Sequence, residues 1–448
     1  MTILPQLNDT AQLKIADLLN HVLAKTVKAG ATESSVAVNH DVGFSVDVRM
    51  GAVETVAFSE DQGVGVTVYI GNRKGSASSS DTSSKALDAM VLAAIDIAKV
   101  SAPDPCFGLP ERELMTGFTK DLDLHHPWDI VPPQAIELAL RCEAQALSRD
   151  TRIANSDGVN VSTYTFSHGF ANTLGCHTIV NSSRHTMSCS LIAKQGEAMQ
   201  RDYDYTTARC ADDLLAPESL ADNAVNRAIE RLGAQKLKTQ KTPVLFSSRV
   251  SASLFSSFIG AISGSNLYRK NTFLLDSIGQ QIFPDAIRIY EQPHLLRALG
   301  SSPIDGEGVP TRNNHFVEEG RILQYVLGTY SARKMGLKTT ANSGGVFNLT
   351  VDPTAGDFSA LLHTLGTGLL VTELMGSGAN ILTGDYSRGA SGFWVENGEI
   401  QYPVEEITIA GNLKNMFKNI VAVGTDLNPN VSTRCGSVLI EEMMVAGQ

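Results

Sequence analysis

Two long stretches near the start of the chain alternate apolar and polar residues. Val42, Phe44, Val46 and Val48 form the first set, and Val64, Val66, Val68 and Ile70 the second. A period of two puts each set on one face of a β-strand. Gly63 and Gly71 punctuate the second stretch. Helical periodicity flanks both. Residues 9–29 predict an amphipathic helix with caps at 8–10 and a stop at Gly30. Residues 85–99 predict another, with Leu87, Met90, Val91, Ala94 and Ile97 along one stripe. A connector bearing Pro103, Pro105, Gly108 and Pro110 follows. The same order then returns: a helix at 133–148 opened by Pro132-Pro133, short strands over 152–206, and a helix at 217–232. Only the order of elements recurs, without a residue-level repeat.

The basic, polar stretch 236–243 is the best boundary. It separates an N-terminal α+β region, 1–235 (sub-units about 1–105 and 125–235), from a β-rich domain, 242–448. Beyond it the pattern gives a strand at 244–247, a helix at 249–263 ending at Gly264, and a Gly-rich, mostly extended remainder. Two hairpins echo each other: Phe316-Val317-Glu318-Glu319-Gly320-Arg321-Ile322 and Trp394-Val395-Glu396-Asn397-Gly398-Glu399-Ile400. Asn397-Gly398 is a strong two-residue turn signal, because both residue types tolerate positive φ. The expected fold class is α+β: two helix/antiparallel-strand units, then a mixed, mostly antiparallel β domain that could close into a barrel.

Composition narrows the function. The 448 residues carry 36 Lys+Arg against 47 Asp+Glu, a net charge of −11. That balance argues against nucleic acid and anionic lipid as partners, both of which need basic surface. With 6% aromatic residues, stacking platforms for single strands are not expected either. The N-terminus lacks the pattern of a secretory signal, and no run of 18 apolar residues exists to cross a membrane. Six scattered cysteines form no disulfide framework. The chain reads as cytoplasmic, with reduced thiols.

Catalytic motifs are sparse. No phosphate-binding Gly loop or dinucleotide fingerprint occurs: Gly366-Thr367-Gly368 lacks its third Gly, and Arg73-Lys74 reads as a hairpin tip. Gly389-Ala390-Ser391-Gly392 falls one residue short of a nucleophile elbow. Ser331 with Lys334, and Tyr330 with Lys334, match short catalytic spacings without their supporting motifs. None of the ten His precedes a Glu, so no His-Glu-x-x-His helix exists. Cys176, His177, His185 and Cys189 are the densest nitrogen and sulfur group, read as a packed strand pair in preference to a zinc site. Glu373 lies in an apolar run, either as an acid–base group or as the partner of an Arg. Arg388 sits in the loop-like Gly384-Asp385-Tyr386-Ser387-Arg388-Gly389. It could grip a peptide carboxylate or carbonyl, or lock onto an Asp.

That stretch, with Gly392-Phe393-Trp394-Val395-Glu396-Asn397-Gly398 and Glu406-Ile407-Thr408-Ile409-Ala410-Gly411-Asn412-Leu413, resembles the TldD/PmbA metallopeptidase family, in its PmbA (TldE) branch. Tyr268-Arg269-Lys270, Asp305-Gly306-Glu307-Gly308, Tyr330-Ser331-Ala332-Arg333-Lys334, Gly63-Val64-Gly65-Val66-Thr67-Val68 and Arg73-Lys74-Gly75-Ser76-Ala77 support it by order and spacing. The resemblance implies a two-subunit bacterial peptidase that removes leaders from microcin-type peptides and degrades small unfolded peptides. TldD-type chains hold zinc through His-Glu-x-x-x-His and a later Cys, whereas PmbA-type chains lack that motif. Here Ser256, Ser257 and Ala261 stand at the motif positions, and Cys435 matches the later Cys but stands alone. The resemblance therefore implies no catalytic residue and no cofactor in this chain, and zinc in a TldD-type partner. It further implies a peptide substrate, a cleft at Asp385, Tyr386 and Arg388, and a homodimer when the partner is absent. The alternative, carried by an older family label, is a regulatory protein that modulates DNA gyrase without proteolysis.

Overall fold

The alternating stretches become unusually long antiparallel strands. The structure, a computed structural model, describes residues 9–115 and 120–447. Helix α1 (Asp9–Lys28) leads into β1 (Glu33–Arg49), β2 (Ala52–Ile70), β3 (Arg73–Ser79) and α2 (Ser84–Val100). The order repeats as α3 (Pro132–Arg149), β4 (Ile153–Asn172), β5 (His177–Gln195), β6 (Ala198–Ala208) and α4 (Pro217–Glu230). The cap expected at Asn8 lies outside the described residues. The strands expected to be short over 152–206 are instead among the longest: the turn-like Ser156-Asp157-Gly158 is absorbed as an irregularity in β4's register with β5, and the strand runs on past it. All six join in one sheet of order β3-β2-β1-β4-β5-β6, symmetric about the β1–β4 pairing. Helices α1 and α2 cover one end of one face, and α3 and α4 the other end, each with its own apolar core. On α2 the buried stripe is Leu87, Met90, Val91, Ala94, Ile95 and Ala98, whereas Ile97 is exposed. At 100° per residue Ile95 and Ala98 sit nearer the stripe's centre than Ile97 does.

The second half begins with β7 (Gln240–Phe246), which takes up the latter part of the polar stretch at 236–243. Next come α5 (Ala252–Ala261), α6 (Gly264–Tyr268), β8 (Ile289–Glu291), β9 (Asn314–Glu318), β10 (Arg321–Ile322), α7 (Thr329–Lys334), β11 (Leu349–Val351) and α8 (Phe358–Leu365). The chain finishes with β12 (Gly368–Met375), β13 (Asp385–Glu396), β14 (Glu399–Asn412), α9 (Leu413–Lys418), β15 (Ile420–Val423) and β16 (Val438–Ala446). Strands β14-β13-β12-β7-β16 form a sheet that closes when β16 pairs back onto β14, giving a five-stranded barrel. Pairing is antiparallel except between β7 and β12. Closure removes open edges from the barrel. Phe246, Phe255, Phe258, Phe283 and Phe417 belong to its core. Asn397 (φ 53°) and Gly398 (φ 78°) make the expected turn between β13 and β14. A Cβ at Gly398 would also fall 2.7 Å from the His363 ring, so that position needs glycine twice over.

The expectation of a mostly extended remainder fails over 269–348, which is largely irregular. Side chains there bind backbone in place of strand ladders. Asp305, for example, accepts from the N–H groups of Glu307, Val309 and Ser343 at 2.9–3.0 Å.

The connector before α3 is clamped by the second half. Asp104 accepts from the Tyr330 hydroxyl (2.9 Å) and pairs with Lys334 (2.6 Å), while the Phe107 ring stacks on Tyr330 at 4.9 Å. The Tyr330/Lys334 spacing is thus structural, and Ser331 donates to the Gly328 carbonyl (3.0 Å), away from any Ser–Lys dyad. The Lys334 ammonium first, and the Cys106 N–H second, hold the Asp104 pKa down to about 2. Its contribution is complete above the ordinary carboxylate range and is lost as pH falls toward 2. Asp104→Asn is expected to let proteases nick the connector earlier than in wild type at pH 7. Equal nicking rates in limited proteolysis would show that the clamp does not hold the segment.

Candidate functional site

A cleft opens where the β5–β6 hairpin and the end of α4 meet one rim of the barrel. It consists of adjoining cavities of about 400 and 290 Å³ that share Asp202, Arg249 and Thr372. Arg231, just past α4, is the hub. It reaches Glu373 on β12 at 2.6 Å and Asp202 on β6 at 3.3 Å. Glu373 also accepts from the Ser391 hydroxyl at 3.0 Å. Arg249, from the loop after β7, lies 3.4 Å from Asp202 and 4.8 Å above the Tyr203 ring. Burial, and then the Arg249 charge, hold Arg227 below the usual arginine range, with Asp204 (3.4 Å) and Asp202 partly offsetting this. These ion pairs join residues of the long sheet's half to the barrel, so they fix the cleft's shape as well as its charge.

Of the expected cleft residues, Arg388 lines the smaller cavity with Val250, Ser253 and Leu374. Its Nε is buried without a hydrogen-bond partner among the described residues, and its guanidinium lies against the Tyr386 phenol. Among the described residues no Asp locks onto it. Tyr386, two residues earlier and on the same strand face, is buried in the barrel core, and burial pushes its phenol up to about 12. Asp385 points the other way. Its carboxylate accepts from Thr383 (2.8 Å) and Asn412 (3.3 Å) at the strand's start, so it does not join the cleft. Neighbouring strand residues face opposite sides, which a three-residue grouping on one strand overlooked. Glu373 takes the Arg-paired option. Asp202, Arg231 and Arg249 escaped notice. Arg227 and Arg231 at helical i,i+4 spacing were the available signal, since like charges on one face call for anionic partners.

Strand pairing also thins here. The register of β12 with β7 ends at Val371, so Thr372, Glu373, Leu374 and Met375 have no strand on that side. Helix α5 begins beside this gap, with Val250 and Ser253 lining the same cavity as Arg388. Ser256 and Ser257 each donate back to a carbonyl four residues earlier, Ala252 and Ser253, at 3.0 Å. Ala261 is fully buried. The Cys435 thiol faces Ser251, ahead of α5, and burial pushes it up to about 12. These four positions do not fit a zinc ion: two hydroxyls committed to carbonyls, a methyl group and a protonated thiol lack the charge and basicity of His, Glu and thiolate donors. Among the described residues, no three His, Cys, Asp or Glu side chains gather as a metal-holding group.

The densest nitrogen and sulfur group disperses. His185 is buried between the Thr163 hydroxyl and the His126 carbonyl, both at 2.8 Å. Cys189 lies against Cys142 under α3, and Cys176 approaches the Gly308 carbonyl (3.7 Å). All six thiols are unpaired. No helix among the described residues is long and apolar enough to cross a membrane.

Known proteins share this fold. Models of the PmbA/TldA metallopeptidase match in three pieces: domain 1 at residues 35–98, the central domain at 125–232 and the C-terminal domain at 239–447. Metalloprotease PmbA of Escherichia coli O157:H7 is 47% identical, over 98% of this chain and 97% of its own. A solved Bacteroides thetaiotaomicron protein, described as a candidate modulator of DNA gyrase, superposes with a TM-score of 0.92 at 26% identity, covering 99% of this chain and 100% of that one. TldE from Thermococcus kodakarensis has the same fold, with a TM-score of 0.83 at 20% identity over 96% of this chain and 100% of its own. The chain therefore belongs to the PmbA/TldD metallopeptidase family.

Proposed function

We propose that this chain is the PmbA/TldE-type subunit of a cytoplasmic, two-subunit metallopeptidase whose zinc is held by a TldD-type partner. The observation that carries the reading is the state of α5. It borders a peptide-sized cleft, yet Ser256, Ser257 and Ala261 offer no metal ligand and no general base. The chain's part is then to wall the chamber and hold the substrate. An extended peptide can add to the bare side of 372–375 through main-chain bonds, which are indifferent to sequence and exclude folded proteins. Arg388, which lines this cavity and carries no carboxylate partner among the described residues, takes a carboxylate or carbonyl of that peptide. Substrates of this kind include small unfolded peptides and the leaders of microcin-type precursors.

The test is reconstitution. The purified chain alone should leave an unfolded peptide intact, and adding a TldD-type subunit should give cleavage that a chelator abolishes, with zinc following that subunit. Chelator-sensitive cleavage by this chain alone would overturn the reading.

A further inference from the structure

The symmetry of the long sheet exposes an inequality between its two units. Strand β6 pairs only with the second part of β5, residues 185–195. Likewise β3 pairs only with the second part of β2, residues 64–70. Each unit is thus left with an outer edge that no strand covers. In the second unit an extended segment ahead of α3 takes the place of the strand. The Ser183 N–H donates to the Leu124 carbonyl at 2.9 Å, and the Ser183 hydroxyl accepts from the His126 N–H at 2.8 Å. In the first unit, among the described residues, nothing lies along 52–61.

That edge is about 30 Å long at ~3.4 Å per residue, and it presents every second N–H and C=O outward. Phe58 and Val56 pair with Phe44 and Val46 of β1, so they face the helix-covered side of the sheet. Yet Phe58 is 54% exposed, Val56 38% and Val53 44%, because the core under α3 takes in β1 residues and none from β2. The edge is also held ready. The buried Glu143 carboxylate on α3 accepts from the Met50 and Gly51 N–H groups, at 2.9 and 2.7 Å, and so pins the β1–β2 turn. A long, fixed edge with an uncovered apolar row is a template for a further strand.

Its charge selects the occupant. Glu54, Glu60 and Asp61 line the edge, answered among the described residues only by Arg49 at 3.9 Å from Glu54 and His40 at 3.0 Å from Glu60. A second copy would gather both sets of carboxylates along one seam. We infer that edge 52–61 docks an extended segment of a partner polypeptide in which apolar residues alternate with Lys or Arg. The inference rests on the two-subunit reading, and the TldD-type chain is the partner that supplies the segment.

Binding of the full chain to the purified TldD-type subunit, with hydrogen exchange on free and bound chain, tests it. The outward amides of 52–61, those not bonded to β1, should exchange rapidly in the free chain and become protected in the complex. Phe58→Lys and Val56→Lys should each weaken binding at least tenfold, Glu60→Lys should weaken it as well, and added salt should weaken wild-type binding. These side chains are exposed, and an unchanged circular dichroism spectrum confirms that each variant folds. Wild-type binding with no protection at 52–61, or variants that bind like wild type, overturns the docking edge and leaves the two-subunit reading standing. Failure of the wild-type chain to bind at all overturns both. Protection of 52–61 in a homodimer that Phe58→Lys dissociates would assign the edge to a second copy and also overturn the inference.

Discussion

Replacing Arg388 with alanine is expected to raise the KM of the reconstituted peptidase for an unfolded peptide by roughly 10- to 100-fold, with kcat little changed. The estimate follows from one charge-assisted hydrogen bond, worth about 1.5–3 kcal/mol. Arg388 lines the cavity beside α5 and pairs with no acid among the described residues, whereas Arg231 and Arg249 already bridge acids of the chain itself. Among the described residues Arg388 is held only by the neutral Tyr386 phenol and can contact substrate without first breaking an ion pair. A contact made equally in ground and transition states acts on KM. Arg388→Lys keeps the charge but loses the planar fork, so it should recover only part of the loss. Steady-state kinetics of the three forms at fixed partner concentration make the measurement. An unchanged KM in Arg388→Ala would remove Arg388 from substrate binding. A fall in kcat alone would give it a different part in the reaction.

Elements whose geometry is set locally were legible in the sequence. Asn397-Gly398 forms its turn because both residues accept positive φ, whatever lies around them. Alternation at 42–48 and 64–70 foretold which side chains face the helices. What the chain joins across distance was not legible. That β1 and β4 meet, fusing two units into one sheet, depends on a register between segments more than a hundred residues apart. The irregular 269–348 region has no periodicity to read, since its order lies in side chain–backbone bonds such as those of Asp305. The site divides the same way. Glu373 and Arg388 stood out singly, because a charge in a small or apolar run is conspicuous. Asp202 and Arg249 come from unremarkable contexts and matter only through each other.

Glu291→Ala is expected to be the most destabilising single change in the irregular region. Glu291 on β8 is fully buried. Its Oε1 accepts from Asn314 (2.6 Å) and Asn342 (2.8 Å), and its Oε2 from Asn342 (3.1 Å) and the Phe347 N–H (2.7 Å). Removing the carboxylate leaves those donors buried and unpaired, at about 1–3 kcal/mol each, so a loss of about 4 kcal/mol or more follows. Burial, outweighing those hydrogen bonds, raises the Glu291 pKa to about 7 from an ordinary 4.5. The folded chain then holds a proton that the unfolded chain has released. The stability this gives is complete below 4.5 and is lost as pH rises through 7, at a limiting slope of about 1.4 kcal/mol per pH unit. Asp305, raised by burial to about 6, acts in the same direction at lower pH. His125, His168 and His185, all shifted down by desolvation, oppose both below their ordinary range. The difference in denaturation free energy between wild type and Glu291→Gln isolates the one group, since every other titration is common to both. Wild type should lose stability relative to Glu291→Gln as pH rises from 5 to 7.5. A flat difference across that range would mean that Glu291 is already ionised at pH 5 in the folded chain, its hydrogen bonds outweighing its burial.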